Sequence, residues 1–186
     1  MNVGFLSRRG RAPSFSAGAL LFCAILLTAF AASAGTSPPI KLAIFDFELE
    51  DFSAGATLAA GNPADDSEQL KSVTNEARRL IAQSGRYTLV GISSADSPAV
   101  KEHWLRKCDG CEAAIALRLG AEQSLIGIVT RISRMEYTVR FQIRDAQTGA
   151  VISNRQTDLR MGANYSWSRG AAWLIRNRLL DSQDQP

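Results

Sequence analysis

A chain of 186 residues, 46% hydrophobic and 21% charged, has the make-up of an ordinary globular protein with enough apolar side chains for one core. Its formal charge of +3 belongs to the first 34 residues, which hold Arg8, Arg9 and Arg11 and no acid; the other 18 basic residues are matched by 18 acidic ones. A balanced remainder gives no electrostatic ground for binding nucleic acid or an anionic membrane surface.

The start of the chain has the three-part order of a secretory signal peptide. Basic residues precede an apolar run from about Ala17 to Ala32, and Ala32-Ser33-Ala34 forms a small-x-small site before Gly35. Cleavage is expected after Ala34, with Ala31 as the second choice. The alternative is an uncleaved anchor, but the run is shorter than the ~20 residues of a comfortable spanning helix. Cys23 is a poor lipid-attachment site, because Phe22 precedes it where a small residue is needed. The membrane is therefore expected to be met only through this transient leader, and the mature chain is expected to be periplasmic.

After a short polar linker, Ile40–Phe47 is nearly all apolar and predicts an interior first strand. Asp46, Glu48, Glu50 and Asp51 crowd the end of that strand and the loop that follows, up to Asp66. Clustered carboxylates can bind a hard cation, but there is no Asp-x-Asp-x-Asp-Gly pattern, and a solvated loop is the other reading. Ser67–Ser84 predicts a helix capped by Asp66 or Ser67 and closed by Gly85, with Leu70, Val73, Ala77, Leu80 and Ile81 on one stripe. Arg86–Ile92 is a second strand, and strand–helix–strand within so short a span predicts a parallel pair. Ala99–Lys107 reads as a short helix holding the single histidine, His103.

Cys108-Asp-Gly-Cys111 opens a helix that stops at Gly120, where glycine takes the left-handed turn without a Cβ clash. Ser124–Ile132 follows as a central strand, apolar on consecutive positions. Tyr137–Asp145 alternates strictly: Tyr137, Val139, Phe141 and Ile143 face one way, Thr138, Arg140, Gln142 and Arg144 the other. Gln147–Gly149 turns the chain into a weaker strand at Ala150–Thr157. Asn164–Leu180 is the last helix. The expectation is one α/β (α+β) domain over residues 35–186: a single mixed sheet of about five strands, in the order β-α-β-α-α-β-β-β-α, with helices packed on it.

The motifs Lys41–Glu48, Ser84–Val90, Cys108–Ile115, Leu119-Gly-Ala121 and Ser166–Gly170 resemble an uncharacterised family of exported bacterial proteins, a "domain of unknown function". The order of motifs is more distantly similar to the periplasmic α/β domain of the curli-secretion lipoproteins and to the amino-terminal domain of the Tol–Pal translocation protein. This chain lacks the lipobox of the former and the propeller of the latter. The resemblance implies an α/β architecture, an envelope location and a role in assembly or transport, and it carries over no catalytic residue.

Two readings of the cysteine pair stay open. Three residues apart on one helical turn, Cys108 and Cys111 lie within disulfide reach in an oxidising compartment and would staple two helical segments. Alternatively, a cysteine at a helix start beside Arg106 and Lys107 would be a reactive thiolate, and the chain a thiol–disulfide oxidoreductase. Glu112 stands where a haem-attachment motif needs histidine, and two Cys with His103 fall short of a zinc site. No cofactor and no metal are expected. The function expected is a non-catalytic binding or assembly domain with an envelope protein as partner. Arg131, Arg134, Arg140 and Arg144 are the candidate docking residues for an acidic partner, against the reading that they line a solvated sheet face. On either reading Arg140 and Arg144 are expected to be dispensable for folding. The acidic stretch Glu48–Asp66 is the next candidate.

Overall fold

A computed structural model describes residues 38–53, 63–93, 95, 97–133, 136–159 and 166–181. The expected leader and its cleavage site lie outside the described residues. Six strands form one mixed sheet: β1 (Ile40–Ile44), β2 (Glu48–Asp51), β3 (Tyr87–Val90), β4 (Gln123–Arg131), β5 (Tyr137–Asp145) and β6 (Val151–Leu159). The helices are α1 (Pro63–Gln83), α2 (Pro98–Lys101), α3 (Cys111–Arg118) and α4 (Ser166–Leu174). A 3₁₀ turn at Leu105–Lys107 precedes the cysteines, and a π turn at Ile175–Leu179 extends α4. Among the described residues, no helix is long and apolar enough to cross a membrane.

The sheet order is β3-β1-β4-β5-β6, with β2 also on β4. β1 pairs parallel to β3 and to β4, as the strand–helix–strand spacing predicts, and β4-β5-β6 are antiparallel. Both faces are covered. On one, Leu42, Ile44, Leu125, Val129, Val139, Phe141 and Ile143 pack under α1 and α4, which contribute Val73, Ala77, Ile81, Trp167, Ala171 and Leu174. On the other, Ala43, Phe45, Ile126 and Ile128 meet Leu105, Ile115 and Ala116. That double cover is why β1 and β4 are apolar on consecutive positions.

The mixed sheet with helices packed on it is as expected; the boundaries differ in three places. The first strand does not run through to Phe47: it stops at Ile44 and resumes as β2, and both pieces lie along the same edge of β4, at Gln123–Leu125 and at Ile128–Arg131. Helix α1 begins at Pro63 rather than Ser67, so Asp66 is inside its first turn, where an acid suits the amide-rich end of the helix. The helix expected at Ala99–Lys107 is split by His103, whose φ of 51° lies in the left-handed region and breaks the run of helical backbone.

Candidate functional site

The break between β1 and β2 organises the polar chemistry of the fold. Phe47 turns its ring over Gly127 of β4, where a Cβ would overlap the ring. An isolated glycine in a strand marks such a close approach. Helix α1 holds the interrupted backbone: the Phe47 amide donates to Thr74 Oγ1 at 2.9 Å, and Arg78 Nη2 donates to Ile44 O at 2.8 Å and to Asp46 Oδ1 at 2.9 Å.

The acidic run is neither a solvated loop nor a cation cage. On a strand its side chains alternate between faces, and three of its four acids find separate arginines. Asp46 pairs with Arg78. Glu48, 3% exposed, accepts from Arg106 Nη1 at 2.7 Å and from the Leu105 amide at 2.6 Å. It thereby ties the 3₁₀ turn to the sheet. On the opposite face Arg131, 6% exposed, donates to Asp51 Oδ2 at 2.8 Å and to Asp66 Oδ1 at 2.6 Å. Its guanidinium carbon lies 5.7 Å from the Tyr137 ring centre and 5.8 Å from that of Trp167, within cation–π range. Burial alone would raise the Asp51 pKa, but hydrogen bonds from Ser53 and Arg131 hold it below the usual carboxylate value. Burial would likewise lower that of Arg131, and the bonds to Asp66 and Asp51 more than reverse it.

Beside this ladder a cleft of about 410 Å³ opens between the β1–β2 break, α1 and the turn at His103. Phe47, Leu49 and Leu70 supply its apolar surface, Lys71 and Arg106 its cationic groups, and His103 an imidazole ring. The acids in its lining, Asp46 and Glu48, are already paired. Lys71 and His103 have no charged partner among the described residues. The cleft therefore suits an anionic group carried on an apolar stem. Lys71 and Arg106 were not candidates from the sequence, because residues thirty-five positions apart converge only through the sheet.

Cys108 and Cys111 form a disulfide, with Cα atoms 5.6 Å apart. The turn between them uses the left-handed region at Asp109, φ 41°, and Gly110, φ 101°; the glycine meets this at no steric cost. Arg144 of β5 reaches across to hold the turn. It donates to Asp109 Oδ1 at 3.1 Å and to Gly149 O at 3.0 Å, and its Nε lies 2.9 Å from Glu112 Oε1. Glu112 is 1% exposed, and neither of its oxygens accepts a well-angled hydrogen bond, so charge attraction to Arg144 is what offsets its burial. Cys108, Cys111 and Glu112 lie close enough to hold a metal ion, but the sulfurs are bonded to each other and only the carboxylate is left to ligate. The pair follows a 3₁₀ turn, not a strand, as the sequence predicts.

Of the four arginines expected on one docking face, Arg131 lies on the opposite face of the sheet from Arg140 and Arg144. Arg131 lies on the face of Tyr137, opposite it in register, and is an internal ion-pair centre. Arg144, though on the expected face, is a clamp with 16% of its side chain exposed. Arg140 is half-buried and has no ion-pair partner among the described residues. Arg134 lies outside the described residues.

One family model matches residues 40–179; its description is "Protein of unknown function (DUF2380)". No curated protein matches the chain. Among solved structures, the chain is similar to the LpoB C-terminal domain from Salmonella enterica at 16% identity, with 69% of this chain and 87% of that one covered and a TM-score of 0.46. PelC, a dodecamer from Paraburkholderia phytofirmans, is 16% identical, with 74% and 86% covered and a TM-score of 0.42. TolB from Acinetobacter baumannii is 17% identical, with 74% of this chain but 27% of TolB covered and a TM-score of 0.41.

Proposed function

We propose that this chain, which belongs to the DUF3280 family of proteins of unknown function, is an exported, non-catalytic binding domain that recognises a protein partner in the periplasm. The observation that carries this reading is the clamped disulfide. A bond between Cys108 and Cys111 fits an oxidising compartment. Its turn is fastened by Arg144 to the β5–β6 hairpin, which favours a staple over a dithiol that opens and closes. The cleft beside the β1–β2 break is where the domain takes a carboxylate-bearing apolar group of its partner: Lys71 supplies the charge, His103 a hydrogen-bonding ring, and Phe47, Leu49 and Leu70 the apolar contact. The thiol–disulfide oxidoreductase alternative draws no support from this arrangement.

Export and oxidation are tested together by alkylating the periplasmic fraction of the native host under denaturing conditions and measuring intact mass. A chain starting near Gly35 with no alkylated thiol is expected. A full-length chain confined to the cytosolic fraction and carrying three alkylated thiols, at Cys23, Cys108 and Cys111, would refute the reading. Insulin-reduction turnover that disappears in Cys108→Ser would return the oxidoreductase. For the cleft, a photo-cross-linker in place of the exposed lining residue Ser67 is expected to capture an envelope protein, and His103→Ala added to that chain, with Lys71 intact, to reduce the capture. Capture unaffected by His103→Ala would remove the cleft from the reading.

A further inference from the structure

We propose that the groove between α1 and α4 docks an acidic segment of a protein partner. The groove, about 730 Å³, is lined by Arg79, Arg169 and Arg176 and by the ring of Trp173, with Glu76 as its single acid. Arg79 and Arg176 against Glu76 leave an excess of positive charge there, in a domain whose charges balance overall. Trp173 is 47% exposed, on a different face of α4 from the buried Trp167. Arg178 lies with its guanidinium carbon 5.9 Å from the Trp173 ring centre. Tryptophan and arginine together are the side chains most enriched where binding energy concentrates.

Glu76 shows how the groove treats a carboxylate. Arg79 grips it with two bonds, Nε to Oε2 at 2.8 Å and Nη2 to Oε1 at 2.7 Å, and Arg176 stands 3.8 Å away on the other side. This planar two-point geometry is the one guanidinium groups offer carboxylates in general. Arg176, with 56% of its side chain exposed, retains donors for a second carboxylate from outside.

Charge alone would equally suit an anionic lipid surface. The shape favours a peptide: the arginines line a concavity between two helices, and Trp173 is the one exposed large apolar side chain in it. A membrane-seated face needs a broader apolar surface that projects. The groove uses residues of α1 that the cleft does not, so the two sites are separable by mutation.

The test uses the mature chain and a short fluorescein-labelled peptide rich in Glu and Asp, read by anisotropy at low and at physiological salt. The comparison peptide has the same length with Gln and Asn in place of the acids. Saturable binding of the acidic peptide alone is expected, weakening with salt. Arg79→Ser with Arg176→Ser, or Trp173→Ala alone, is expected to weaken it about tenfold or more, each such loss being that of one strong interface contact. These side chains are exposed, and an unchanged circular dichroism spectrum and melting temperature certify the fold. Lys71→Ala in the cleft is expected to change nothing. No saturable binding, equal binding of the neutral peptide, or affinity indifferent to the groove variants overturns the proposal. Binding lost with Lys71→Ala instead overturns it while leaving the cleft reading intact. Stronger, groove-dependent binding to phosphatidylglycerol vesicles than to the peptide replaces the peptide with a lipid surface.

Discussion

Replacing Arg131 by Met separates a buried ion-pair centre from a solvated sheet arginine. Methionine keeps most of the side-chain volume and its contact with Tyr137 and Trp167, but takes away the guanidinium that bonds Asp51 and Asp66. Arg131 is 7% exposed at its side chain, Asp66 11% and Asp51 20%. Removing one partner of a pair this buried costs about 3–5 kcal/mol, whereas an exposed pair costs at most about 1 kcal/mol. At roughly 2–4 °C per kcal/mol for a domain of this size, the variant is expected to melt about 6–20 °C below the parent. The pH dependence has a sign as well. Asp51 titrates below its ordinary value of 3.8, so its contribution is fully present above pH 3.8 and is lost as pH falls through the lower folded value. In Arg131→Met, Asp51 loses part of what lowers its pKa while the hydrogen bonds from Ser53 remain, so the variant is expected to lose less stability than the parent as pH falls through the acidic range. Urea denaturation of both proteins across acidic pH, with Asp66→Asn added as the double-mutant arm, checks this. A loss below about 1 kcal/mol, or parallel pH curves, would refute the buried-centre reading.

Arg144→Met, which strands the buried Glu112, is expected to cost about 3 kcal/mol in urea denaturation, while Arg140→Ser stays near zero; equal effects would mean that Arg144 is not a clamp. Gly127→Ala places a methyl against the Phe47 ring and should cost about 1–3 kcal/mol; Phe47→Leu in the same chain is expected to recover part of this, and additive losses would argue against the contact. Glu48→Gln removes the charge that holds Arg106, so amide exchange at Leu105 should quicken relative to β4, and unchanged protection would place the anchor elsewhere. Reducing Cys108–Cys111 closes no long loop in reverse, and the entropic cost for so short a ring is about 2 kcal/mol at most; a melt that collapses under reductant would show the staple doing more than closing its own turn.

What the sequence determined by itself is what depends on neighbours along the chain. Periodicity named the strands at Tyr137–Asp145 and Ser124–Ile132 and the stripe of α1, because a side chain's face follows from its position in a helix or strand. Continuous apolarity at Leu42–Phe45 and Leu125–Val129 told that helices cover both sides of the sheet. Two cysteines three apart put a disulfide within reach, since one turn of chain brings them together, but left open whether it is a staple or a redox pair. Tertiary structure decided the rest. Alternation put Arg140 and Arg144 on one face, but nothing along the chain says that Glu112 and Asp109 wait there for Arg144. Arg131 falls on the other face by register with Tyr137, and its partners Asp51 and Asp66 lie sixty-five and more residues away. The acidic run looked solvated because a lone carboxylate belongs in water. It became part of the fold only because Arg78 of α1 reaches Asp46, Arg106 of the 3₁₀ turn reaches Glu48 and Arg131 of β4 reaches Asp51, and the attraction between such charges depends on their distance in space, which the order of residues does not contain.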